Sequence, residues 1–225
     1  MDNIPRSRMR LRFARRAAAG NISHLEQIRE LRRIASLSGL DLCPARFGGR
    51  AVPKMAFGPA LPAGCGSRCE YADLYLAQNC AESAAAARLS AVASEYLELV
   101  SVKRVPVYFP SIEACVGAAQ YLMEAGPGEM PERAALDAFL ARESAPLLKK
   151  DRGGEDRTID ARPLVLEASL DGAAGTVRLR LKLDPGRNVR PAEILALMAG
   201  REVPVRRLER EELFWIDSKG VLEII

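Results

Sequence analysis

From residue 8 to residue 14 the chain alternates charged and apolar positions, which places Met9, Leu11 and Phe13 on one face of a half-buried strand. The period then changes. Leu25, Ile28, Leu31, Ile34 and Ala35 recur at helical spacing. Ser23-x-x-Glu26 introduces them as a capping box with Ser23 at the N-cap, and Gly39 closes the element at C′. The opposite face of this helix carries Arg29, Arg32 and Arg33. A loop rich in Gly and Pro (residues 43–52) leads into residues 53–57, and residues 58–64 read as a rigid connection. Residues 70–76 alternate as a strand, residues 82–96 are Ala-rich and helical, and residues 98–107 form a short strand. The order is β-α-β-β-α-β, a ferredoxin-like split βαβ unit.

The second half repeats that order. Residues 114–124 read as a strand, and Pro131 at a first-turn position opens a helix to about Arg142. Strands follow at residues 157–170 and 176–183, then a helix from Pro191 to Gly200 and a last strand at residues 203–215. The expected architecture is α+β: two tandem ferredoxin-like (βαββαβ) sandwiches. A basic N-terminal domain covers residues 1–109 and a C-terminal domain residues 110–225, joined near Tyr108-Phe109-Pro110.

Charge adds an asymmetry. The net charge is +4, yet residues 1–54 hold twelve Arg or Lys against four Asp or Glu. A basic end on a near-neutral body points to a polyanionic or acidic partner, with a merely solvated face as the alternative. No apolar run approaches the roughly 18–20 residues of a membrane span, and residues 1–12 lack the apolar core of a signal peptide, so a cytoplasmic protein with no membrane partner is expected. Five cysteines at irregular spacing fit reduced thiols better than a disulfide framework.

Candidate chemistry is sparse. One histidine, His24, excludes a multi-His metal site and would have to carry any Ser-His or Cys-His catalysis. Cys65-x-x-x-Cys69 with Cys80 lacks the spacing of a zinc site or of a radical SAM cluster, so no metal is expected in this chain. Gly126-Pro127-Gly128 and Gly153-Gly154 are turns without a phosphate-loop pattern. Asn21, Ser23 and His24 sit where a strand hands over to a capped helix, and helix N-termini favour anions. Arg15, Arg16 or Arg46 would lie near. The competing reading is a capping serine with a hydrogen-bonded histidine. A second polar concentration joins Lys149-Lys150-Asp151-Arg152 to residues 158–164, where Asp160 and Arg162 share a strand face and either flank a ligand or form a surface ion pair.

Gly20-Asn21-Ile22-Ser23-His24-Leu25-Glu26, Arg46-Phe47-Gly48-Gly49-Arg50 and residues 53–64 (PKMAFGPALPAG) resemble motifs of the radical SAM-linked protein family, a domain of unknown function designated DUF2344. Glu70-Tyr71-Ala72-Asp73 and Ile159-Asp160-Ala161-Arg162-Pro163-Leu164 resemble its later segments. Glu26 departs from that family's usual aspartate, and Phe47-Gly48-Gly49 from its Phe-Asn-Pro. The resemblance implies a radical SAM protein as partner, often with a cobalamin-binding region. Any iron–sulfur cluster and S-adenosylmethionine would then belong to that partner, with no cofactor in this chain.

Three functions compete. The first is a non-catalytic accessory module that binds RNA, in particular tRNA, or another anionic substrate through its N-terminal basic face. Arg15, Arg16, Arg29, Arg32 and Arg33 are its candidate nucleic-acid contacts, and binding would weaken steeply with salt. Asn21, Ser23, His24, Arg46, Arg50, Lys54, Asp160 and Arg162 are candidates for anion or substrate binding. The second is a small-anion-binding enzyme built on His24, Lys54, Asp160 and Arg162. The third is a pure protein-interaction domain.

Overall fold

A computed structural model describes residues 4–16, 19, 22–126, 128–150, 153–184, 186–217 and 219–225. The chain is a mixed α+β protein that divides into two compact units, Met1–Val116 and Gly117–Ile225.

The first unit runs β1 (Ser7–Arg15), α1 (His24–Leu37), β2 (Pro44–Phe47), β3 (Arg50–Pro53), β4 (Met55–Phe57), β5 (Gly66–Leu76), α2 (Glu82–Ser90), β6 (Leu97–Val105) and α3 (Ile112–Cys115). Its sheet strands lie in the order β4-β5-β1-β6, each antiparallel to its neighbour. β2 and β3 pair only with each other, as a hairpin inserted between α1 and β4. The second unit runs β7 (Val116–Ala125), α4 (Arg133–Leu140), β8 (Pro146–Lys150), β9 (Asp156–Asp160), β10 (Val165–Asp171), β11 (Thr176–Lys182), α5 (Pro191–Ala199), β12 (Val205–Ile216) and β13 (Leu222–Ile224). Its strands follow β10-β11-β7-β12, and β8–β9 is again a separate hairpin after the first helix. Strand by strand the two units therefore have one order: the second, third, first and fourth sheet strands.

Three expectations are corrected. Residues 43–52 are mostly a hairpin, because Gly48 and Gly49 both take positive φ (57° and 78°), the backbone of a type I′ turn that matches strand twist. The helix expected over residues 82–96 stops at Ser90. Beyond it, Ser94 Oγ accepts from the backbone N–H groups of Tyr96 and Leu97 (3.3 and 3.1 Å) and donates to Glu30 (2.6 Å), offering the chain hydrogen bonds that compete with another helical turn. The strand expected over residues 157–170 breaks into β9, a 3₁₀ turn at Arg162–Leu164 and β10, since Pro163 cannot donate to a ladder.

β1 departs most from its pattern. Met9, Leu11 and Phe13 enter the core as the alternation requires, but Arg8 on the other face is 1% exposed. That face is covered by residues 109–115. Asp73 on β5, wholly buried and directly opposite Arg10 in the β1–β5 register, accepts from Arg10 Nε (2.8 Å) and Nη2 (3.1 Å) and from the Ile112 N–H (2.8 Å). Arg8 lies 3.9 Å from the same carboxylate and donates to the Phe109 and Pro110 carbonyls (2.9 and 3.2 Å). Burial alone would lower the Arg10 guanidinium, and Asp73 together with Cys115 more than offsets it, so the net shift is upward.

Removing one partner of a buried pair strands the other's charge. Asp73→Ala should therefore lower the unfolding free energy by about 3–5 kcal/mol. Urea titration checks this, and a loss below about 1 kcal/mol would show that the network contributes little.

Candidate nucleic-acid interface

The first element of the site is the N-terminus of α1. The capping box forms in full: the Glu26 N–H donates to Ser23 Oγ (3.2 Å) and the Ser23 N–H to Glu26 Oε2 (2.7 Å). That second bond holds the Glu26 carboxyl below its ordinary range. Beside it, Arg15, Ile22, Ser23, His24 and the turn from Leu61 to Gly64 line a cleft of about 310 Å³. Arg15 Nη2 donates to the Ala19 carbonyl and, at 2.9 Å, to the Ile22 carbonyl, so its guanidinium shapes the turn into α1. Asn21 lies outside the described residues.

The second element is the β2–β3 hairpin. Phe47 and Arg50 flank the Gly48-Gly49 turn, with Arg46 one step before, and all three are exposed, Phe47 by 64%. Arg32 on α1 reaches between two rings, 5.0 Å from Phe47 and 5.6 Å from Phe57. This cation–π seat fixes the hairpin against the helix. Phe57 ends β4, and the chain from it continues through the Gly58–Gly64 stretch into the wall of the cleft at His24. Arg32, Arg46, Arg50 and the cleft are thus served by two adjoining segments and one helix.

The other predicted residues are employed differently. Arg33 donates to Glu30 (2.7 and 2.8 Å) and to the Ala93 carbonyl (2.7 Å). This pairing pulls the Glu30 carboxyl down and the guanidinium up. Arg29 is exposed beside Glu26 and lines a shallow hollow with Ile22, Arg33 and Tyr96. Arg16 is exposed, 4.0 Å from Glu98. Lys54 lies 5.2 Å from the Tyr75 ring centre. In the second unit, Asp160 ends β9 and Arg162 opens the 3₁₀ turn, so they do not share a strand face. Asp160 accepts from the N–H groups of Ala145 (2.9 Å) and Arg162 (3.1 Å), the former being the main cause of its lowered carboxyl pKa. The Arg162 side chain donates to the carbonyls of Leu140 and Val165 (2.9–3.1 Å). Phe47 and Phe57 were not singled out from sequence as site residues; the signal available was an aromatic beside two arginines at a Gly-Gly turn.

A family model described as "Uncharacterized protein conserved in bacteria (DUF2344)" matches residues 8–191, and the chain belongs to that family. No curated protein matches. Among solved structures, a chain of "Crystal Structure of a Cbf5-Nop10-Gar1 Complex" is similar at 10% identity and a TM-score of 0.46, over 91% of this chain and 48% of that one. This chain thus spans about half the length of that one. No helix among the described residues is long and apolar enough to cross a membrane, and no group of three or more His, Cys, Asp or Glu among them could hold a metal ion.

The folded state depresses the Glu26 carboxyl below its unfolded value, so the contribution of the box is present above about pH 4.3 and fades as pH falls through the folded value. Ser23→Ala should lower stability by about 1 kcal/mol at pH 7. In urea unfolding across pH, the gap between wild type and Glu26→Gln, which removes the titrating partner of the Ser23 N–H, should narrow in acid; a gap independent of pH would contradict the assignment.

Proposed function

We propose that this member of the DUF2344 family is a non-catalytic accessory module that binds RNA, with tRNA as the first candidate, and presents it to a radical SAM enzyme. The observation that carries the reading is the β2–β3 hairpin, where an exposed Phe47 stands between Arg46 and Arg50 on a tight I′ turn seated on Arg32. Among the described residues no carboxylate pairs with Arg46 or Arg50. Aromatic faces stack unpaired bases and arginines track the backbone, a combination suited to looped or single-stranded RNA. The cleft at Ser23 and His24 offers a second anion contact at a capped helix N-terminus. The shared strand order of the two units supports a tandem ferredoxin-like architecture, an order that recurs in RNA binders.

The partner enzyme would supply the iron–sulfur cluster and S-adenosylmethionine, while this chain supplies grip and orientation. An acid–base reading on His24, Lys54, Asp160 and Arg162 is less favoured, because the last three side chains already have the contacts described above.

Fluorescence anisotropy with unfractionated tRNA should give binding that weakens steeply with KCl. Arg46→Ala with Arg50→Ala should reduce the slope of log K against log salt by about 2. Phe47→Ala should weaken binding about 5- to 150-fold through lost stacking and leave the fold intact. Salt-insensitive binding, or affinity indifferent to all three substitutions, would overturn the RNA assignment. Failure of the tagged chain to retain any radical SAM protein in a pull-down from cell extract would overturn the partner assignment separately.

A further inference from the structure

The core of the first unit is split. One cluster gathers Met9, Leu11, Leu74, Leu76, Leu89 and Val102, and a second gathers Phe13, Leu31, Ala72 and Leu97, with Ile34 packed against both. Between them opens a cavity of about 340 Å³, walled by Leu11, Phe13, Leu31, Ile34, Leu89 and Leu97. Interiors are close-packed, with few voids larger than a water molecule, and this volume falls in the lower range of small-molecule pockets.

The gap has a structural cause. α2 ends at Ser90, and the segment that replaces its next turns puts only Val92, Ala93 and Ser94 at the wall, none of them long enough to fill the space. A clamp from α1 keeps that segment from collapsing inward: Ser94 Oγ donates to Glu30, and Arg33 joins Glu30 to the Ala93 carbonyl. The wall is thus held by three hydrogen bonds of 2.6–2.8 Å.

The mouth carries one cation and one anion. Arg16 and Glu98 line the pocket and face each other at 4.0 Å, with side chains 52% and 61% exposed. A pair this long and this solvated is weak and leaves both groups able to form better bonds. A ligand with one charge would satisfy one of them and repel the other. A head bearing both charges would replace the loose pair by two charge-assisted hydrogen bonds, carboxylate to Arg16 and ammonium to Glu98.

We propose that the first unit binds a small zwitterion of the hydrophobic α-amino acid type, its apolar side chain between α1 and β6 and its head across Arg16 and Glu98. This inference does not depend on RNA binding.

Isothermal titration of the full chain with L-phenylalanine, L-leucine and L-methionine tests it, with phenethylamine, phenylacetate and toluene as single-charge and uncharged controls. At least one amino acid should bind saturably, and at least tenfold more tightly than the controls. Arg16→Met and Glu98→Gln, both at exposed positions, should each weaken that binding at least tenfold with unfolding curves unchanged. Val92→Trp, at the pocket lining, should abolish it. Absence of saturable binding by all three amino acids would overturn the proposal. So would binding matched by the controls, or unchanged by both mouth substitutions.

Discussion

A carboxylate with no access to water organises the first unit. Asp73 is affordable inside the protein only because Arg10 meets it with two hydrogen bonds, the Ile112 N–H adds a third, and Arg8 stands close by. Those partners come from β1 and the start of α3, so satisfying one charge on β5 fixes three stretches of chain. The consequences reach the candidate interface. β1 delivers the turn into α1 and its capping box. β5 sets the register of β4 through the Ala56–Asp73 pair, and hence the position of Phe57 under Arg32.

Much of this fold is legible in the sequence because the signals are local. The capping box at Ser23, the burial of Leu31 and Ala35 on the apolar stripe and Gly39 beyond the C-cap are where the local pattern places them, although Leu25 at the start of the stripe is exposed and Gln27 is buried. The mixed helix and strand content of both halves follows from the same periodicities. What was not legible depends on tertiary context. Arg8 and Arg10 alternate with apolar residues as solvated positions do, yet a segment about a hundred residues away covers them. The end of α2 is decided by what Ser94 bonds to, not by the Ala-rich run before it. The hairpin at residues 44–53 was hidden because proline at both ends and two glycines in the middle read as a breaker, although paired left-handed glycines make one of the tightest strand reversals.

The candidate interface was legible in part for a related reason. Counting charges along the first fifty residues overstates the basic face, since an arginine has five donors and proteins use them structurally. Arg8, Arg10, Arg15 and Arg33 bond mainly to carbonyls and carboxylates of their own unit. The arginines left facing solvent are fewer, Arg46 and Arg50 on the inserted hairpin with Arg16 and Arg29 outside it. Only distances separate the two groups.

The matched strand order has a further meaning when the inserted hairpins are set side by side. In the first unit the hairpin ends in a bare turn flanked by solvent-facing Arg and Phe side chains. In the second, Lys149 of the corresponding hairpin is drawn back onto α5, bonded to Glu193 (2.9 Å) and to the Asn188 carbonyl (2.8 Å), while Asp160 at its base ties down the chain at Ala145. The two hairpins thus put side chains to different uses, outward reach at Arg46, Phe47 and Arg50 in the first unit and bracing at Lys149 and Asp160 in the second. Changing Arg46 or Arg50 breaks no ion pair among the described residues, whereas changing Lys149 or Asp160 breaks bonds that hold the second unit's own chain in place.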